Sequence, residues 1–108
     1  MREVRRGNKY NLIALDPPTF GRGSNGQVWK IEDDLPKLLA RCNELRDRSR
    51  PFTVVLSCHS PGFSILVLER LAEAAFGRGG EFESFEMTVP ESTGRELPAG
   101  ISVRCRVK

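Results

Sequence analysis

Apolar positions fall into three regimes along this chain. Leu12 to Leu15 is a short uninterrupted apolar run, and Phe52 to Cys58, Phe-Thr-Val-Val-Leu-Ser-Cys, is a second. Such runs read as buried parallel strands. Between and after them the period becomes helical. Leu35, Leu38, Leu39, Cys42 and Leu45 share one face, with Asp33 or Asp34 as the cap and Pro36 placed in the first turn. Ile65, Leu68, Leu71, Ala72, Ala75 and Phe76 form a second face, opened by Ser64 and closed by Gly77. In the last third the period drops to two. Phe85, Met87 and Val89 alternate with Glu86 and Thr88, and Ile101, Val103, Cys105 and Val107 alternate with polar residues. A polar loop from Pro90 to Gly100 joins these strands into an antiparallel pair. The order is strand, helix, strand, helix, strand, strand: an α/β unit with two parallel strands, then an antiparallel edge. Arg2 to Arg6 before Gly7 reads as the last turn of a helix with its C-cap.

Composition narrows the class. The chain has 108 residues, 39% hydrophobic and 29% charged, as expected for one folded domain. Its net charge of +3 permits a polyanionic partner without demanding one. No apolar stretch approaches the roughly 20 residues that span a bilayer, and no secretory signal is read at the N-terminus. Cys42, Cys58 and Cys105 form no Cys-x-x-Cys pair, which argues against a disulfide framework or a metal site and for a reducing, cytoplasmic setting. Cys42 and Cys105 lie on apolar faces and are expected in the core.

Candidate chemistry gathers at the two strand ends. The first strand delivers Asp16 onto Pro17 and Pro18, which end it because neither can donate a ladder hydrogen bond. A carboxylate at the carboxyl end of a buried strand lies where open α/β sheets bind ligands. Cys58 ends the next strand. Parallel neighbours bring their carboxyl ends together, so Asp16 and Cys58 are expected to face one cleft. His59 reads as a polar residue at a strand end, since neighbours on an extended strand point to opposite faces. That alternation also disfavours a cysteine–histidine hydrolase dyad. Gly21-Arg22-Gly23-Ser24-Asn25-Gly26 satisfies G-x-G-x-x-G, but no helix follows directly, so it reads as a mobile loop and not a dinucleotide cradle. Arg22 and Lys30 are candidates for phosphate contacts. Trp29 is either a lid or a packing residue.

These motifs carry a resemblance. With Asp16-Pro17-Pro18-Thr19-Phe20 at one strand end and Ser57-Cys58-His59-Ser60 at the next, the chain resembles class I Rossmann-like methyltransferases dependent on S-adenosylmethionine (SAM). Among them it looks most like the 23S ribosomal RNA cytosine-5 methyltransferases. Val28-Trp29-Lys30-Ile31-Glu32, Asp34-Leu35-Pro36 and the tail from Glu96 to Val107 are similar to segments of the same enzymes. The resemblance implies that residues 1–108 correspond to the C-terminal half of the domain, from its fourth strand onward. The glycine-rich donor turn and the ribose-binding acid have no counterpart, so no cofactor-binding residue is assigned and the isolated chain is expected to be inactive. With the earlier strands missing, the strand at Leu12–Leu15 would be an exposed edge prone to self-association.

The resemblance implies SAM as methyl donor and RNA, ribosomal RNA above all, as acceptor. In the cytosine-5 members a thiolate adds to C6 and makes C5 nucleophilic. Cys58 would be that thiol and Asp16 would bond the base edge. Pro17 and Pro18 would shape the pocket, Phe20 would stack on a base, and Arg22 and Lys30 would hold phosphates. His59 departs from the second serine of the Ser-Cys-Ser pattern. Amino-methylating enzymes carry Asp-Pro-Pro followed directly by an aromatic residue, whereas Thr19 intervenes here. The alternative reading is a non-catalytic RNA- or partner-binding half-domain.

Overall fold

The computed structural model describes residues 5–23, 26–60 and 62–108. Four strands make one mixed sheet: β1 (Leu12–Leu15), β4 (Phe52–Cys58), β5 (Glu81–Pro90) and β6 (Glu96–Val107). Their spatial order is β1-β4-β6-β5. β1 pairs parallel to β4, with Leu12 opposite Thr53 and Leu15 opposite Leu56. β6 runs antiparallel to both β4 and β5. Helices α1 (Ile31–Glu44) and α2 (Ile65–Phe76) supply the crossover from β1 to β4 and the connection from β4 to β5. The sheet and its two helices follow the α/β order read from the apolar periods.

The core lies between the helices and one sheet face. Phe52, Val54, Leu56 and Cys58 project from β4 against Leu35, Leu39 and Cys42 of α1 and against Leu68, Ala72 and Phe76 of α2. The intervening β4 residues, Thr53, Val55 and Ser57, face the other way and are only half-buried. That second face also carries Arg104, which pairs with Glu83 at 3.2 Å. Burial on a single face is half of what a parallel α/β sheet ordinarily receives.

Several expectations change in detail. β1 is parallel but not buried: it forms the sheet edge, and Leu12 is 59% exposed while Ile13 and Leu15 pack on the core. α1 starts at Ile31, ahead of the predicted cap. Lys30 is the N-cap, and Asp34 acts from inside the helix, its Oδ2 accepting the Lys30 N–H at 2.8 Å. Pro36 therefore sits beyond the first turn. The bond it cannot make would go to the Glu32 carbonyl, and both residues are exposed, so that carbonyl is open to solvent. Ser64 does cap α2, its Oγ accepting the Val67 N–H at 3.2 Å, and Gly77 ends it with φ +100°.

The Pro90–Gly100 loop shrinks to a turn at residues 91–95, because β5 and β6 keep pairing beyond the sheet, up to Pro90 opposite Glu96. A register shift between Glu86 and Thr88 breaks the Phe85, Met87, Val89 alternation. Phe82, and not Phe85 or Val89, packs against the core. Residues 20–30 hold a hairpin that periodicity does not reveal: β2 (Phe20–Arg22) pairs antiparallel with β3 (Val28–Lys30). Ser24 and Asn25 of the glycine-rich stretch, and residues 2–4 of the predicted N-terminal helix end, lie outside the described residues. Arg5 and Arg6 are helical and Gly7 has φ +73°. Among the described residues no helix is long and apolar enough to cross a membrane.

Candidate functional site

Parallel pairing of β1 with β4 brings their carboxyl ends side by side, and the residues just past those ends meet. Asp16 leaves β1 and His59 leaves β4, and His59 Nε2 lies 3.2 Å from Asp16 Oδ1. Both side chains face solvent, Asp16 at 66% and His59 at 54% exposure. The distance lets one imidazole proton be shared with the carboxylate. Asp16 Oδ2 is not part of that contact.

The backbone beneath this pair is well anchored. Pro17 is buried. The Pro18 carbonyl accepts a hydrogen bond from Trp29 Nε1 at 2.7 Å, which ties the turn after β1 to the β2–β3 hairpin. Thr19 Oγ1 and Ser60 Oγ share a 2.6 Å hydrogen bond, joining the loop after β1 to the loop after β4. The Thr19 carbonyl also accepts the Ile31 N–H at 3.1 Å, holding the start of α1 to the same turn. From β6, Gly100 backs the site: with φ +106°, a Cβ there would stand 2.7 Å from both His59 Nδ1 and the Cys58 carbonyl oxygen.

The structure separates the two residues expected to share a cleft. Cys58 is 1% exposed and belongs to the core cluster. Alternation along β4 decides this: Phe52, Val54 and Leu56 point to the helices, so Cys58 does too, and the next residue turns out. A thiol that attacks a nucleobase must be reachable, and this one is covered by its own fold. Cys42 and Cys105 are buried free thiols as expected, and burial is the chief effect pushing both up from the ordinary thiol range. The other predicted residues remain at the surface. Phe20 is 53% exposed with the Arg22 guanidinium 5.7 Å from its ring centre. The exposed Lys30 ends the hairpin at the α1 cap. Of the glycine-rich stretch, Gly21 lies in β2, and the Gly23 N–H bonds to the Gln27 carbonyl at 2.7 Å between β2 and β3, not in a strand-to-helix turn.

His59 is the site residue that sequence reasoning passed over. Its signal was available, since strand alternation placed Cys58 and His59 on opposite sides. What could not be read was which side held the core. Ser60, Thr19 and Gly100 left no signal, because their roles depend on contacts between distant segments.

This architecture is the C-terminal part of a Rossmann-like methyltransferase fold. The SAM-dependent methyltransferase from Agrobacterium tumefaciens superposes with a TM-score of 0.85 and 32% identity, over 99% of this chain and 36% of that one. SMU.776, solved as a complex with SAH, matches with a TM-score of 0.66 and 18% identity over 96% of this chain and 28% of its own. A Streptococcus mutans protein described as SAM-dependent gives 0.67 and 15%, over 98% and 27%. The last two show the shared fold. The chain thus spans 27–36% of the length of these three structures. No family model matches the sequence, and no curated protein matches it.

Proposed function

We propose that this chain forms the acceptor side of a SAM-dependent methyltransferase that modifies RNA, with ribosomal RNA as the expected substrate. The observation that carries the reading is the pairing of Asp16 with His59 at neighbouring strand ends, in a fold that superposes on a SAM-dependent methyltransferase at 32% identity. The described residues do not fit a donor cradle. The described glycines of the glycine-rich stretch lie in β2 or between β2 and β3, and no helix N-terminus follows them directly to meet a ligand. The methyl donor is therefore assigned to the remainder of the fold, and the isolated chain to an inactive state.

What these residues do concerns the acceptor. Asp16 Oδ2 can accept a hydrogen bond from an N–H of a base while His59 holds Oδ1. Buried Pro17 and the Trp29-anchored Pro18 carbonyl keep the carboxylate in place, so its orientation is set before the base arrives. The pair can then take up the proton that the acceptor loses. A cytosine-C5 reaction by thiol addition needs a reachable sulfur, which the packing of Cys58 does not supply. Transfer to a base nitrogen fits the exposed carboxylate better. Exposed Phe20, Arg22 and Lys30 are proposed to hold neighbouring parts of the RNA.

The test is a chimera in which this chain replaces the matching segment of the Agrobacterium tumefaciens enzyme. Tritium from labelled SAM should enter RNA, and Asp16→Asn should lower kcat by about 100-fold or more with SAM affinity unchanged. A chimera that binds SAM yet labels no RNA, or one whose Asp16→Asn variant keeps full activity, would defeat the proposal.

A further inference from the structure

Next to the Asp16 turn, but outside it, lies an open groove of about 480 Å³ between the β2–β3 hairpin and α1. Gly23, Trp29 and Leu38 are among its lining residues, and Arg22, Lys37 and Arg41 bring three cations to it. One carboxylate, Asp34, also lines it: its Oδ2 accepts the Lys30 N–H at the start of α1, and its Oδ1 lies 3.9 Å from Lys37 Nζ. Lys37 and Arg41 have side chains 79% and 55% exposed, and Arg41 shares one terminal nitrogen with Glu44 at 3.1 Å.

Trp29 gives the groove its character. Its indole N–H is spent on the Pro18 carbonyl, which fixes the ring relative to the turn carrying Asp16. Its cross-strand partner is Gly21, which adds no side chain of its own there, while the Pro18 ring stands close by and Trp29 is half-buried. A held, half-exposed aromatic ring lining a groove bordered by cations combines the two elements that bind single-stranded nucleic acid: a stacking platform and phosphate contacts.

We infer that this groove binds a single-stranded nucleic acid segment flanking the acceptor nucleotide, one base stacking on Trp29 while Lys37, Arg41 and Arg22 contact its phosphates. The inference rests on the proposed RNA reading and extends it to a second subsite. The anchor from Trp29 to Pro18 couples the two, so that a strand engaged in the groove is held in register with the Asp16–His59 pair.

The experiment uses the whole chain, because Trp29 is its single tryptophan and reports on the groove directly. Titration with a short single-stranded oligouridylate should quench indole emission saturably. Binding should weaken as salt rises, and Lys37→Gln with Arg41→Gln should reduce the slope of log affinity against log salt by about 1.4, the value for two lost contacts on a single strand. Inorganic phosphate alone should leave the emission unchanged. No saturable quench, an equal response to a duplex, or an unaltered slope in the double variant would overturn the inference. Methylation by the chimera separates the two readings. Label transfer with a silent groove defeats the subsite alone, and a responsive groove without transfer defeats the methyltransferase reading alone.

Discussion

Gly100 on β6 stands so close to His59 that a single methyl group there would reach to 2.7 Å of the ring nitrogen Nδ1. The same methyl would meet the Cys58 carbonyl oxygen at 2.7 Å, which is backbone and cannot swing aside. Gly100 also holds φ +106°, a region that L side chains rarely enter. Gly100→Ala should therefore displace His59 from Asp16 and cost about 1–3 kcal/mol of stability. Denaturant unfolding gives the second quantity. In the chimera, transfer activity should fall even where the fold survives at low temperature. A variant as stable and active as the parent would show that the close approach is not needed.

The thiols make a sharper test of the core. Cys42, Cys58 and Cys105 are all buried and free. None should react with a thiol reagent under native conditions faster than the chain opens, and all three should react in denaturant. Rapid labelling of one thiol, mapped to Cys58 by mass spectrometry, would restore the attacking-thiol reading.

The edge of the sheet predicts self-association. Thr53 N–H bonds to the Asn11 carbonyl at 2.9 Å, so along β1 the ladder toward β4 uses alternate residues, leaving the amide of Ala14 turned to the free side. Leu12 and Ala14 are both exposed there. The chain should associate with increasing concentration, and Ala14→Pro should suppress this without loss of a β1–β4 hydrogen bond. Light scattering across a concentration series decides it. Undiminished association in the proline variant would place the contact elsewhere.

The hydroxyl pair Thr19–Ser60 should be strongly coupled. Ser60 is buried, and removing either partner leaves the other short of its 2.6 Å bond. Thr19→Val, which leaves buried Ser60 unpaired, should cost about 1–3 kcal/mol, Ser60→Ala less because Thr19 is exposed, and the double variant less than the sum. Strict additivity in a double-mutant cycle would mean that the bond contributes no joint stability.

Calorimetry on the isolated chain should detect no SAM binding, since the described residues offer no donor cradle. Micromolar binding by these residues alone would require a second donor mode.

Much of this protein is carried by local pattern. The apolar face of α1, the Ser64 cap, the stop at Gly77 and the parallel pairing of two apolar runs follow from side-chain period and backbone preference, which act over a few residues. The place of Asp16 at a strand end follows in the same way from the two prolines. The short β2–β3 hairpin escaped because three-residue strands have too few positions to display a period. Which partner Asp16 acquires lay beyond the reach of pattern. Cys58 and His59 are adjacent and chemically eligible, and one peptide unit sends them to opposite faces. Only packing against α1 and α2 establishes which face is sealed, because burial is a property of segments far apart in the chain and not of either residue alone.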